Sequence, residues 1–284
     1  MRYGTGDEIA KDENVVAAYL VEKIKANKEN TMKDYLRIDG KVAIVTGSGR
    51  GIGRGIALAL ASYGVKVMVT DINDENGNNV KKEIIDAGGV AEYCHCDVCR
   101  IEDIKNLVAA TVKAFGTVDI LVNNAGGGEP PCDFFSITDE RWDYYIRFNL
   151  YSAFYMIREV FPYMRDQKRG KIVNISSGYA IGGGDFCAHY ASAKAGIIGL
   201  TTSIAKEGAP YGINVNVIPV PTTDTPGLRE ADFELVADEI PMIPLGRIAV
   251  PEDVANTALF LVSEAADYVT GQIVAPNGGK RMLV

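Results

Sequence analysis

Val42-Ala-Ile-Val-Thr46-Gly47-Ser48-Gly49-Arg50-Gly51-Ile52-Gly53 runs a short apolar stretch into a glycine-rich turn, and a stretch of helical period comes after it. The nearly all-apolar run reads as a strand buried on both faces. Glycines suit a tight strand-to-helix turn that brings backbone against a pyrophosphate. The helix N-terminus beyond it offers unpaired N–H groups and a partial positive charge. The spacing is Gly-x-x-x-Gly-x-Gly rather than Gly-x-Gly-x-x-Gly, a weak signal alone that gains weight after a first strand. Gly47, Ser48, Gly49, Arg50, Gly51, Ile52 and Gly53 are therefore candidate dinucleotide contacts.

Outward from this turn, apolar runs alternate with helical stretches, the pattern of βαβ units and a parallel sheet. Strands are predicted at Val42–Thr46, Lys66–Thr70, Val90–Cys94, Ile120–Asn123, Lys171–Ile175, Ile213–Ile218 and Gln272–Ala275. Helices are predicted near Ile52–Ser62, Glu75–Asp86, Ile101–Ala114, Asp139–Arg165, Ser192–Gly208 and Pro251–Ser263. The fold class is α/β: one Rossmann-like, doubly wound domain over 39–284, with about seven parallel strands and helices on both faces. Residues 1–38 stand apart as a helical extension, with Val15, Val16, Tyr19, Leu20 and Ile24 at helical spacing.

The 284 residues are 47% hydrophobic and 23% charged, and the formal net charge is −8. Such a balance disfavours nucleic acid and anionic membranes, which want a basic footprint. No apolar run approaches the roughly 18 residues of a membrane span. The first residues lack a signal-peptide h-region, so a cytoplasmic location is expected. Cys94, Cys96, Cys99, Cys132 and Cys187 are an odd set of thiols. The Cys94-His-Cys-Asp-Val-Cys99 cluster lacks a second Cys/His pair, and it reads as small side chains in a sheet, with no metal site expected.

Asp71 closes the second predicted strand eighteen residues beyond Gly53. A carboxylate there can accept from the adenosine ribose hydroxyls and repel a 2′-phosphate. Arg50 could instead meet that phosphate. The repulsion is taken as the stronger term, so NAD(H) is favoured over NADP(H). Ile72 beside Asp71, then Asp97 and Val98 after the third strand, complete the adenosine side. Asn124, Ala125 and Gly126 end the fourth strand with small groups that permit close approach.

Tyr190-Ala-Ser-Ala-Lys194 places a phenol and an ammonium four residues apart on one helical face. A free tyrosine, at a pKa of about 10, is a poor acid/base near neutrality. A neighbouring ammonium and an oxidised nicotinamide would lower it. Ser177 lies thirteen residues upstream, just past the fifth strand, at the ligand-binding edge of the sheet.

With these segments in view, the chain from Leu36 onward resembles the short-chain dehydrogenase/reductase family. The resemblance rests on Thr46–Gly53, Asn123-Asn-Ala-Gly126, Asn149 in Phe-Asn-Leu, Asn174-Ile-Ser-Ser177 and Tyr190–Lys194. It implies a tetrad: Tyr190 as acid/base, Ser177 bonding the substrate oxygen, Lys194 gripping the nicotinamide ribose, and Asn149 holding a proton-relaying water. It also implies a Thr225–cofactor contact and a homo-oligomer, tetramer or dimer. In two places the chain departs from the family. Val220-Pro221 replaces the usual Pro-Gly, and Asn277-Gly-Gly279 replaces Asp-Gly-Gly.

The activity expected is NAD(P)-dependent interconversion of a secondary alcohol and a ketone. Phe134, Phe135, Tyr179, Ile181, Phe186, Leu228 and Met242 are predicted to line the pocket with little positive charge. That favours an apolar, cyclic or aromatic small molecule, steroid-like or flavonoid-like. A 3-oxoacyl-thioester reductase and a non-catalytic dinucleotide sensor are the alternatives.

Overall fold

The computed structural model describes residues 35–128, 131–231 and 238–282. The chain divides into two units, Met1–Arg37 and Ile38–Val284, and the sheet with its helices belongs to the second. The helix expected near the start of the chain, through Val15 to Ile24, lies outside the described residues.

Six parallel strands form one sheet in the order β3-β2-β1-β4-β5-β6. They are β1 (Val42–Thr46), β2 (Lys66–Asp71), β3 (Val90–His95), β4 (Ile120–Asn123), β5 (Gly170–Ser177) and β6 (Ile213–Val220). β1 and β4 are buried at every residue, as strands covered on both faces must be. The order reverses between β1 and β4, and ligands of open α/β sheets bind at the carboxyl side of such a switch point.

One face carries α1 (Gly51–Ser62), α2 (Asp74–Asp86) and α9 (Pro251–Val262), with α1 packed on α9. The other carries α3 (Ile101–Phe115), α4 (Asp139–Ile146), α5 (Ser152–Asp166) and α7 (Ala188–Gly208). Two short helices, α6 (Tyr179–Gly182) and α8 (Pro226–Ala231), come after β5 and β6 at the cleft. Ile44, Leu121, Val160, Ile172 and Val215 form the core between sheet and helices.

Two expectations need correction. Gln272–Ala275 is not a seventh strand. It meets β6 in one parallel bridge, Val217 with Ile273, through two backbone bonds of 3.0 Å. Gly271 before it, in a left-handed conformation, and Pro276 after it cut the run short.

The helix predicted over Asp139–Arg165 is broken by a π turn at Arg147–Tyr151. There the Ser152 N–H reaches back five residues to Arg147 O. The bypassed Phe148 carbonyl is taken by the Ser152 hydroxyl at 2.7 Å. Asn149 stands inside this turn, at the kind of π bulge that often marks a functional position.

Candidate active site

One cleft of about 910 Å³ opens along the carboxyl edge of the sheet. Gly47, Gly51 and Asp71 line one end of it, and Ser177, Tyr190 and Lys194 line the other. Segments distant in the chain thus meet because parallel strands deliver all their carboxyl ends to one edge.

At the first end, α1 begins at Gly51 with no side-chain cap and no acidic residue in its first turn. α2, by contrast, is capped by Asn73 and opens on Asp74 and Glu75. The N–H groups opening α1 are therefore left for an anion. A Cβ on Gly53 would lie 2.2 Å from the Gly47 carbonyl, so only glycine permits this turn. Ser48 does not line the cleft: fully buried, its hydroxyl exchanges bonds with the Thr70 backbone at 3.0 and 3.3 Å. Gly49 acts through its N–H, which donates to Asp71 Oδ2 at 2.9 Å.

That bond, with a second from Asn73 N–H to Oδ1 at 3.0 Å, aims the Asp71 carboxylate. Each oxygen keeps a free lone pair for a ribose hydroxyl. Ile72, Asp97 and Val98 line the same end, and Asp97 is itself held by Cys99 N–H at 2.9 Å. Arg50 turns across the cleft to Glu230 on α8, at 3.1 and 3.2 Å. Asn124 braces the turn, donating to Thr46 O and Gly47 O at 2.9 and 3.0 Å.

The loop after β6 carries Pro221 with no residue of Pro221–Thr225 at positive φ. Pro221 donates nothing, its carbonyl accepts from Thr223 at 2.8 Å, and Thr223 bridges to Ala249. Thr225 ends beside Gly51, whose Cβ would lie 3.5 Å from the threonine methyl.

At the chemical end, α7 starts at Ala188, four residues earlier than expected, so Tyr190 and Lys194 lie in its first turns. Lys194 is buried, donates to the Ile175 carbonyl at 3.1 Å and stands 5.8 Å from the Tyr190 ring centroid. Burial brings its ammonium down to about 8. Burial also pushes the Tyr190 phenol up to about 12, against the pull of a hydrogen bond with Ser177. Desolvation is thus the largest influence on Tyr190, ahead of the hydrogen bond with Ser177. At neutral pH the phenol holds its proton.

Asn149 is buried and does not line the cleft. Its amide brackets Gly127, accepting from the N–H at 3.0 Å and donating to the carbonyl at 3.1 Å, and also donates to Tyr145 O. A Cβ on Gly126 would touch Asn149 Oδ1 at 2.7 Å and Lys194 Nζ at 2.9 Å, so both side chains crowd the same side of that glycine. Beneath them Asn123 donates to Asn174, and Asn174 to Thr201, a buried ladder tying β4, β5 and α7. Ser176, the neighbour of Ser177, is spent on the Lys194 carbonyl at 2.8 Å.

The substrate end differs from expectation. Tyr179, Ile181 and Leu228 line the cleft. Phe134, Phe135, Phe186 and Met242 do not, and Phe135 is 92% exposed. Lys280 and Arg281 line it as well. The low positive charge expected there is corrected by this C-terminal turn, which joins the loops after β4, β5 and β6 at the wall. His189 is buried and packs edge-on against Tyr145 at 4.5 Å, away from the cleft. Among the described residues, no group of three or more His, Cys, Asp or Glu could hold a metal, and no helix is long and apolar enough to cross a membrane.

Residues 47–281 match the family profile described as enoyl-(acyl carrier protein) reductase. The chain belongs to the short-chain dehydrogenase/reductase family. It is 37% identical to the 3-oxoacyl-(acyl-carrier-protein) reductase FabG of Thermotoga maritima over 244 residues, 86% of this chain and 99% of that one. It is 38% identical to the 7alpha-hydroxysteroid dehydrogenase of Escherichia coli K12 over 247 residues, 87% of this chain and 96% of that one. The FabG of Aquifex aeolicus is 38% identical over 251 residues, 86% and 98% of the two chains. As a short-chain dehydrogenase/reductase the protein is an oxidoreductase dependent on NAD(P). The uncapped α1 terminus, the bare Gly47–Gly53 turn and the oriented Asp71 fit that dinucleotide.

Proposed function

We propose that the protein interconverts a secondary alcohol and a ketone, with Tyr190 as the acid/base. The observation carrying this reading is that Ser177, Tyr190 and Lys194 share one cleft with the glycine turn. A nicotinamide dinucleotide held on the Gly47–Gly53 turn would supply or accept the hydride. Ser177 orients the substrate oxygen by hydrogen bonding, and Tyr190 gives that oxygen its proton in reduction or takes it in oxidation. Lys194, anchored on Ile175, would hold the nicotinamide ribose and keeps positive charge near the phenol. Asn149 positions Gly127 behind the cleft wall, and in this reading a relay water would be held by the second lone pair of its Oδ1.

NAD(H) is the preferred dinucleotide in this proposal. The Asp71 carboxylate, held by two backbone N–H groups, supports this reading, because it would set like charge against a 2′-phosphate. Arg50, the group that could offset it, is occupied by Glu230.

The substrate in this reading is an apolar, ring-bearing ketone or alcohol, supported by Tyr179, Ile181 and Leu228 on the wall. A 3-oxoacyl thioester is the second reading, favoured by the two FabG relatives. Cyclic, steroid-like, flavonoid-like and acyl-thioester ketones, each assayed with NADH and NADPH, separate these. Turnover of none, with dinucleotide still bound, would leave the sensor reading instead.

Homo-oligomerisation is also inferred, since Tyr144, Tyr151, Phe154 and Tyr163 are exposed on and around α4 and α5. Sedimentation showing only monomer would refute it.

A further inference from the structure

Asn277, which stands where the family more often has aspartate, works from both ends of its side chain. Oδ1 accepts from Gly279 N–H at 3.0 Å, and Nδ2 donates to the Arg281 carbonyl at 2.8 Å. An ionised aspartate could make the first bond but has no donor for the second. The Lys280 N–H adds a bond to the Asn277 carbonyl at 3.1 Å. The main chain therefore turns back on itself and presents Lys280 and Arg281 to the cleft.

The two cations there are not equivalent. Lys280 is matched by Glu239 at 2.9 Å, and Glu239 also takes the Thr222 hydroxyl. Arg281 donates Nη1 to the Gly178 carbonyl at 2.6 Å and forms no ion pair among the described residues. Asp185, nearby in sequence to Gly182, is exposed and does not line the cleft. Gly178 comes directly after Ser177, so the guanidinium stands one residue from the hydroxyl assigned to the substrate oxygen. Gly182 gives it room, since a Cβ there would lie 1.6 Å from Nη1. A guanidinium has five donors in a planar fork, and one bond leaves the rest for a planar anion.

We propose that Arg281, pinned by Asn277, recognises an oxyanion carried by the substrate beyond its reacting carbonyl. This rests on the alcohol/ketone reading and narrows it: the substrate is an amphipathic keto or hydroxy acid, not a neutral ketone. Carboxylate and phosphate share the chemistry the fork recognises. Tyr179, Ile181, Pro221 and Leu228 would cover the apolar part between anion and carbonyl.

The test is a set of cyclic ketones, from one ring to steroid size, each made as free carboxylate, methyl ester and phosphate monoester. The kcat/KM of the carboxylate or phosphate should exceed that of the ester by about tenfold or more, the range of a charge-assisted bond. The larger of the two ratios names the anion. Arg281→Gln should collapse the ratio toward one through KM, and Arg281→Lys should retain part of it. Asn277→Asp should lower it, because the pin on Arg281 is lost. Equal kcat/KM for acid and ester, or a preference surviving in folded Arg281→Gln, overturns the proposal.

Calorimetry of the same acids and esters on the NAD-loaded protein reads the site without turnover. Arg281-dependent binding of the acid there, with no ketone reduced, would support the anion site while defeating the catalytic reading. Indifference of binding to Arg281 would defeat the anion site.

Discussion

The dinucleotide end of the cleft and its substrate end line the same sheet edge, yet they are made of different material. The first is backbone: the Gly47–Gly53 turn, the uncapped start of α1 and an Asp71 aimed by two N–H groups. Its parts lie close together in the chain. The second is side chains brought from β5, β6 and the C-terminal turn, as with Arg281 bonded to Gly178 across 103 residues. A backbone site tolerates no substitution that fills its space, while a side-chain site can change ligand one residue at a time. That contrast allows one fold to serve relatives named for substrates as different as an acyl carrier protein thioester and a hydroxysteroid.

The sharpest break of this comparison comes from the chemistry itself. Tyr190→Phe should cut turnover by about a thousandfold, within the span of acid/base catalysis. Dinucleotide affinity, measured by fluorescence titration, should survive; an equal loss of both would mean the two ends are not separable.

Gly53→Ala probes the backbone end. Its Cβ would meet the Gly47 carbonyl at 2.2 Å, so the turn must shift. Urea unfolding should show a loss of about 1–3 kcal/mol, together with weakened dinucleotide binding.

Asp71→Ser keeps the turn but removes the charge. The NADH-over-NADPH ratio of kcat/KM should fall by about tenfold or more, as lost like-charge repulsion predicts. An unchanged ratio would locate dinucleotide choice elsewhere.

The pH dependence reports on Lys194. On the proposed mechanism reduction needs protonated Tyr190, which burial raises to about 12, and charged Lys194, which burial lowers to about 8. Reductive kcat/KM should therefore be level on the acid side and fall as pH rises through about 8. A fall only near the ordinary lysine value of about 10 would show a solvated ammonium.

The smallest effect is expected at the exposed Arg50–Glu230 pair. Glu230→Gln should cost less than about 1 kcal/mol of stability. It should raise the kcat/KM for NADPH a few-fold by freeing Arg50 for a 2′-phosphate.

Much of the fold is legible in the sequence because its signals are local. β1 and β4 carry period and burial in their own residues and match at both ends. Tyr190 and Lys194 share a face by helical spacing, wherever the helix starts. The π turn at Arg147–Tyr151 is not legible: the apolar pattern runs through it, and only the packing of Asn149 on Gly127 marks it. Phe134, Phe135 and Phe186 lie off the expected wall because apolar loop residues carry no direction. The height of the Tyr190 pKa escapes the sequence because spacing reveals a neighbouring charge but not the depth of burial.

The sequence by itself determined the parallel α/β fold, the glycine turn, Asp71 and the Ser177–Tyr190–Lys194 set. Each rests on residues close in the chain or on a period that backbone geometry imposes. The tertiary structure alone decided that Arg50 meets Glu230, that burial raises the Tyr190 phenol, and that Arg281 reaches the cleft. Those depend on distances between segments far apart in the chain, which only packing of the whole sheet edge fixes.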